Sequence, residues 1–213
     1  MHSENNEGRG DTVNLPKLAV VTTSSESPKN FAYSGDSFIV STSSDLKNIS
    51  LFYNEVLLEI IDQYDAFAFL EKEDCFTFLE SCDIIMNKLY QSDMVGAVYS
   101  DSIVVEEGSS SVTFSPSFSH NNYTHNNRMF HQPIFIKRDA LKYIAEVLSS
   151  EACFSEAPPQ YFDSRIKKLC FHSLTAILSG KLIISHIAQP LLTCKHRNFQ
   201  NEEINEDLKL LLN

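Results

Sequence analysis

The sequence has no apolar run long enough to cross a membrane. Its longest runs, such as residues 66–70 and 182–184, are far shorter than the about 20 residues that a membrane helix needs. The N-terminus carries acids and amides where a secretory signal needs basic residues followed by an apolar stretch. These two absences predict a protein that neither spans a bilayer nor enters the secretory route, and they favour a cytoplasmic location.

Paired cysteines and basic patches are also missing from the sequence. The five cysteines are an odd number, are widely spaced and form no CxxC pair of the kind that zinc sites use, so they indicate reduced thiols. The 17 Lys and Arg are scattered and are outnumbered by 28 Asp and Glu, which gives a formal net charge of -11. Because nucleic-acid binding needs a basic surface that neutralises phosphates, this balance excludes nucleic acid from the expected partners.

The length and composition fit one globular domain with its own core. The chain has 213 residues, of which 43% are hydrophobic and 21% are charged. Residues 1–16 are polar and show no periodicity, so they predict a flexible tail. Residues 17–200 predict the domain, and residues 201–213 predict a C-terminal helix with the apolar end LKLLL. The tail and this helix are expected to dock on a protein partner or on a second copy of the chain.

From residue 17 onward, short β-rich runs alternate with helix-like stretches, which predicts an α/β domain. Strands are predicted over 17–23, 37–42, 65–70, 95–105, 133–137 and 182–187. Helices are predicted over 50–63, from Thr77 to Leu89, from about Asp139 to Leu148 and over 164–179. The second helix begins with a capping-box pattern, since Glu80 lies three residues after Thr77. Residues 66–70 are apolar on both faces, as expected of a central strand that is buried between two layers.

Residues 106–132 are the least regular part of the predicted domain. They contain Gly108, a serine run, Pro116 and the stretch HNNYTHNN. Loops longer than about 12–15 residues in compact domains are usually functional or disordered, so we expect this one to lie over the functional site. Its histidines are candidate metal ligands, and a solvated polar loop is the alternative interpretation.

Four parts of the chain are similar to parts of one known family. They are 38–45, 71–74, 95–105 with 133–141, and 180–197, and the family that they resemble is the family-2 glycosyltransferases of the GT-A fold. The acidic stretch 71–74 ends a predicted strand, as the DxD-type motif of that family does. Residues 95–105 together with PIFIKRDAL at 133–141 are similar to a later strand and to the entry into the acceptor-side helix. Residues 180–197 are similar to the closing strand, and 38–45 to the second strand and its turn. The resemblance implies a GT-A-like, Rossmann-like α/β fold with a mixed, mostly parallel central sheet and helices on both faces.

The resemblance also implies a nucleotide-sugar donor site at the ends of these strands. The donor-binding candidates that it gives are Ser41, Ser43, Asp45 and Asp101. A cation, Mg²⁺ or Mn²⁺, would screen the donor diphosphate. The candidate ligands for this cation are Glu71, Glu73, Asp74 and His196. An acidic turn that ends a strand in solvent is the alternative for the three acids, and simple exposure is the alternative for the histidine.

Two departures from the family pattern bear on catalysis. Residues 24–36, between the first two predicted strands, are too few for a helix of about 10–14 residues with its connections, so the nucleotide half of the site is reduced. FDSR at 162–165 resembles the family segment that precedes the catalytic base, but KKLCFH at 167–172 has no carboxylate where the base belongs. Asp163 and His172 are the remaining candidates for this base.

The sequence therefore favours a glycosyltransferase-like domain that has lost catalysis and acts as a binding or structural component of a larger assembly. The alternative is an active, metal-dependent glycosyltransferase that uses a nucleotide-sugar donor. A sensor that binds a nucleotide or a phosphosugar without turnover lies between these two functions.

Overall fold

The computed structural model of the protein describes residues 14–22, 24–41, 58–70, 73–115, 117–118, 133–149 and 180–195. The strands in these ranges are β1 (Leu18–Thr22), β2 (Ser37–Ser41), β3 (Ala66–Leu70), β4 (Cys75–Phe76), β5 (Val95–Glu106), β6 (Ser109–Thr113), β7 (Ile134–Lys137) and β8 (Ile183–Lys195). The helices in these ranges are α1 (Leu58–Ile60), α2 (Ser81–Leu89) and α3 (Arg138–Ser149). None of the described helices has the length and hydrophobicity that crossing a bilayer requires.

All the described strands belong to one sheet. Its order is β2-β1-β3-β7-β5-β8-β4, and β6 pairs with the last residues of β5 outside this path. β1 is parallel to β2 and β3, and β5 is parallel to β8. β7 lies between β3 and β5 and is antiparallel to both. Because β7 runs opposite to both of its neighbours, β3 and β5 run in the same direction. β1, β3, β5 and β8 are therefore parallel, and their carboxyl ends lie at one edge of the sheet.

The predicted fold class is wrong. Strands dominate the described residues, helices are few, and the sheet is a curled, mixed half-barrel instead of a sheet with helices on both faces. The sheet is not mostly parallel either, because β7, β6 and β4 all pair antiparallel with their neighbours. The difference arises largely from two long strands, since β5 has 12 residues and β8 has 13. β5 continues into a hairpin with β6 at a place where the sequence predicts a loop.

Most strands of the structure lie at the positions that the sequence predicts. β1, β2, β3, β5 and β7 begin and end within one residue of the predicted bounds, whereas β8 extends beyond the predicted end to Lys195. The prediction that β3 is central is confirmed, because β3 lies between β1 and β7 and all five of its residues are buried. Strands of β-branched and aromatic residues that are apolar on both faces fit only the interior of a sheet.

The predicted helices agree less well with the structure. α3 begins at Arg138, next to the predicted start. α2 begins at Ser81 instead of Thr77, and Glu80 at its N-cap makes no side-chain capping bond, so the predicted capping box is wrong. Only α1 lies within the described part of the predicted helix 50–63. The helix 164–179, the C-terminal helix and residues 1–13 of the tail lie outside the described residues.

The short segment between β1 and β2 closes the core. A cluster of buried apolar side chains from β1, β3, β5 and β7 packs with Ile85 and Leu89 of α2, and Phe31 and Tyr33 lie against it. The Phe31 ring lies 5.5 Å from that of Phe76, and the Tyr33 hydroxyl donates to the Pro16 carbonyl at 2.6 Å. Burial, followed by nearby acidic groups, raises the pKa of Tyr33 to about 12. The segment that is too short for a helix therefore serves as a cover for the core.

Candidate functional site

A crevice of about 570 Å³, which we call the carboxyl-edge crevice, opens where β1, β3, β5 and β8 end. Each of these strands supplies the residues at or just after its carboxyl end. The lining residues are Thr22, Ser24, Glu26, Ser27, Pro28 and Lys29 at and after the end of β1, Glu73, Asp74 and Cys75 after β3, Val105, Glu106 and Glu107 at and after the end of β5, and Thr193, Cys194 and Lys195 at the end of β8. Small molecules often bind just outside the carboxyl ends of parallel strands in open sheets, so this crevice is the first candidate for a site.

The segment after β1 forms one wall of the carboxyl-edge crevice, and serine and threonine hydroxyl groups stabilise it. The Ser24 N–H donates to Thr22 Oγ1 at 3.2 Å, and the Glu26 N–H donates to Ser24 Oγ at 3.1 Å. Side chains of this type stabilise tight turns by bonding to the backbone two residues later. Asn30 then adopts a left-handed φ of 56°, and its Nδ2 donates to the Phe76 carbonyl at 3.0 Å. The hydroxyl bonds shape the turn, and the Asn30 bond fixes the loop against β4.

The crevice is acidic. Its lining has five carboxylates (Glu26, Glu73, Asp74, Glu106 and Glu107) and two ammonium groups (Lys29 and Lys195). The Lys195 Nζ donates to Glu73, at 2.8 Å from Oε2 and 3.1 Å from Oε1. This hydrogen bond and the charge of Glu73 raise the pKa of Lys195. Because one lysine is already paired, a free phosphate in the crevice would face excess negative charge.

Two of the predicted metal ligands, Glu73 and Asp74, line the crevice. Glu73 is bonded to Lys195, and Asp74 is only 3% exposed. Among the residues that the structure describes, no three His, Cys, Asp or Glu side chains come together as a metal site. Mg²⁺ and Mn²⁺ need several oxygen ligands around one point, so Glu73 and Asp74 alone do not make up the predicted site, which stays a prediction. Glu71 and His196 lie outside the described residues.

The predicted donor-binding and catalytic residues are not brought together within the described chain. Ser41 is exposed at the end of β2 and does not line the crevice. Ser43, Asp45, Asp163 and His172 lie outside the described residues. Asp101 belongs to a buried cluster and is not among the residues that line the crevice.

This buried cluster joins β5 to β8. Tyr99 and Asp101 lie two residues apart on one face of β5, and the register places His186 of β8 beside Tyr99. The rings of Tyr99 and His186 stack with centroids 4.9 Å apart. His186 Nε2 and Asp101 Oδ1 are 2.8 Å apart, and the Ser115 N–H donates to the same oxygen at 2.8 Å. The cluster therefore ties β5, β8 and the segment after β6 together.

The environment of this cluster is dry. The Asp101 side chain is 2% exposed and that of His186 is 12% exposed. Burial, with a smaller contribution from the Asp101 charge, raises the pKa of Tyr99 above its usual range. Sequence reasoning placed Asp101 at a donor site and did not pair it with His186. The available signal was a Tyr-x-Asp alternation in one predicted strand and a histidine inside another.

A second cavity of about 590 Å³ lies at the opposite edge, where β1, β3, β5 and β8 begin. Two of its basic groups already have partners. Arg138 Nη1 lies 3.3 Å from Asp65 Oδ1, and the Lys137 Nζ donates to the Ser92 carbonyl at 2.8 Å. The same Nζ lies 5.0 Å from the centroid of the Tyr90 ring. Because Lys137 and Arg138 are already engaged by neighbouring groups, this cavity is the weaker candidate for a ligand site.

Comparison of the chain with protein-family models and with curated proteins found no match. The resemblance to family-2 glycosyltransferases stays a prediction, and a functional proposal has to rest on the residues of the crevice.

Proposed function

We propose that the protein is a binding component that holds a sugar-bearing small molecule in the carboxyl-edge crevice and does not transfer the sugar. The observation that carries this proposal is the convergence of four parallel strand ends on one crevice of about 570 Å³ that is lined by charged and hydroxyl-bearing residues. This volume lies within the about 300–1,000 Å³ of typical ligand pockets.

The lining groups favour the sugar part of such a ligand. Carboxylates accept hydrogen bonds from sugar hydroxyls, and the hydroxyls of Ser27 and Thr193 can donate or accept. The diphosphate of a nucleotide sugar fits less well, because five carboxylates face two lysines in the lining. A neutral sugar is therefore expected to bind more tightly than a nucleotide sugar. A divalent cation that accompanies the diphosphate would reduce this difference.

The proposed lack of transfer rests on the need for a base. Sugar transfer requires a group that removes the proton from the acceptor hydroxyl, and residues 167–172 offer no carboxylate for this task. Asp101, the buried acid of β5, and His186, the largely buried histidine of β8, bond to each other away from the lining of the crevice. We extend the proposal to a larger assembly, in which residues 1–16 and 201–213 dock on a partner chain.

The first test is calorimetric titration of the full chain with neutral sugars and with UDP-, GDP- and dTDP-sugars, each with and without Mn²⁺. Glu107→Gln removes a carboxylate from the crevice, whereas Glu59→Gln makes the same change at an exposed position of α1 outside it. A lost charge-assisted hydrogen bond costs about 1.5–3 kcal/mol, so Glu107→Gln should weaken binding about tenfold or more. Glu59→Gln should bind like the wild type.

Two results would contradict the proposal. Failure of every probe to bind would remove the ligand site, and equal binding by the Glu107 and Glu59 variants would remove the crevice as its location. Turnover is measured in parallel with radiolabelled nucleotide sugars and Mn²⁺. Transfer or hydrolysis that is abolished by Glu73→Ala would instead establish the active glycosyltransferase.

A further inference from the structure

The outer edge of β6 carries backbone groups without a strand partner in the described chain. β6 pairs with β5 on one side, and no described strand pairs with its other side. Four of its five residues are exposed. Its sequence SSSVT has no proline and no charge, which are the usual protections of edge strands against pairing with another chain. We propose that this edge pairs antiparallel with β6 of a second copy of the chain.

The hairpin register determines which backbone groups reach the open edge. Glu107 and Gly108 form a two-residue turn, with Gly108 at a φ of 79°, and Glu106 lies opposite Ser109. The pair that flanks a two-residue turn exchanges both hydrogen bonds, and the following pairs alternate. Ser109, Ser111 and Thr113 therefore bond to β5. The N–H and C=O groups of Ser110 and Val112 point outward.

These outward groups define the register of the pairing. If Ser111 lies opposite Ser111 of the partner subunit on a two-fold axis, Ser110 pairs with Val112 of the partner subunit and all five residues of β6 are matched. The same register brings Phe114 opposite Gly108 of the partner subunit. Phe114 is 76% exposed, and no atom lies within 4 Å of the position that a Cβ on Gly108 would take. A ring that covers a cross-strand glycine is a known stabilising arrangement in sheets.

The pairing also brings apolar side chains of the two hairpins next to one another. Ile103 lies opposite Val112 in the register, and Val105 and Phe114 share their face by the alternation of the strands. Val105 is 42% exposed and Val112 is 46% exposed. A second copy adds its own four residues to this surface, so the apolar stripes of the two hairpins become continuous and shield part of each other from water.

Charge favours the antiparallel orientation. Glu106 and Glu107 lie at the turn end of the hairpin. In the two-fold register Glu107 lies about 27 Å along the strand direction from Glu107 of the partner subunit, at about 3.4 Å per residue, which exceeds the Debye length of about 8 Å at physiological salt. A parallel pairing would instead place the acids of the two copies side by side.

The test uses the fact that position 111 meets itself on the two-fold axis. Facing residues in a non-hydrogen-bonded antiparallel pair have Cα atoms about 4.5 Å apart, so Ser111→Lys and Ser111→Glu should each place two like charges in contact. Light scattering after gel filtration should give about twice 24.1 kDa for the wild type and about 24.1 kDa for each variant alone. An equimolar mixture of the two variants should return to twice this mass.

The matched control is Ser37→Lys, which places the same charge on β2, an exposed strand at one end of the sheet order. This variant should keep the wild-type mass. Circular dichroism checks that all the variants are folded. A monomeric wild type at every concentration would overturn the proposal, as would a Ser111→Lys variant with the wild-type mass. A mixture that stays monomeric would exclude the register with Ser111 on the axis.

Discussion

At the scale of single residues, burying a carboxylate has a free-energy cost that hydrogen-bond donors must offset. The Asp101 carboxylate meets this condition through Oδ1, which receives the Ser115 N–H and lies 2.8 Å from His186 Nε2. The strand register shifts on both sides of Asp101, and these irregularities place Pro190 beside it. Proline has no N–H to donate, so it is tolerated at such a bulge. The irregular backbone and the buried carboxylate thus belong to one local arrangement.

Asp101→Ala should lower the free energy of unfolding by about 2–6 kcal/mol. It leaves two buried donors without an acceptor, and each unsatisfied donor costs about 1–3 kcal/mol. Asp101→Asn keeps a carbonyl oxygen at the same distance from the backbone. The decrease in its free energy of unfolding should therefore be clearly smaller. Asp93 is exposed, and Asp93→Ala serves as the control that should change stability little. Urea unfolding measures all three variants, and equal losses for Asp101→Ala and Asp101→Asn would contradict the assigned role of Oδ1.

At the scale of elements, alternation and β-branched composition predicted the strands that are stabilised by their own apolar residues. β6 was missed because its serines do not mark a strand, and it forms through pairing with β5. β8 was predicted too short, since it continues past Pro190, which lies at the irregular register opposite Asp101. The capping box at Thr77 failed for a tertiary reason, since the Thr77 hydroxyl lies 3.1 Å from that of Thr193 and Ser81 Oγ accepts the Phe78 N–H.

Phe67→Asp should destabilise the protein by several kcal/mol, because it places an unpaired charge inside the sheet. Phe67 is completely buried in β3, where β1 and β7 pair on either side, and the Tyr64 ring meets it edge-on at 6.3 Å. Phe38→Asp is the matched control, because Phe38 lies on β2 and is 60% exposed. Thermal unfolding should show a large decrease in the midpoint for the first variant only. An unchanged midpoint for Phe67→Asp would contradict the central position of β3.

At the scale of the whole molecule, the sequence could not specify which strands become neighbours. The class α/β was predicted from alternating elements, but the curled mixed sheet depends on pairings such as β3 with β7 that join distant parts of the chain. The sequence likewise predicted only part of the candidate site. Glu73 and Asp74 were predicted, whereas the walls from the β1–β2 loop and from the β5–β6 hairpin follow from the topology. Local sequence patterns do not show which four strand ends lie next to one another in the folded sheet.

The net charge of -11 gives a further prediction for the proposed pairing through β6. Two copies with this charge repel each other, and salt screens the repulsion. Because β6 pairs through neutral residues, raising the salt concentration should strengthen the wild-type dimer several-fold in sedimentation equilibrium. The mixed dimer of Ser111→Lys and Ser111→Glu has opposite charges next to its axis, and salt weakens the attraction between them. Its affinity should therefore rise less with salt than that of the wild-type dimer. A wild-type dimer that dissociates as salt rises would instead be held by ionic contacts, and the neutral β6 edge would not be its interface.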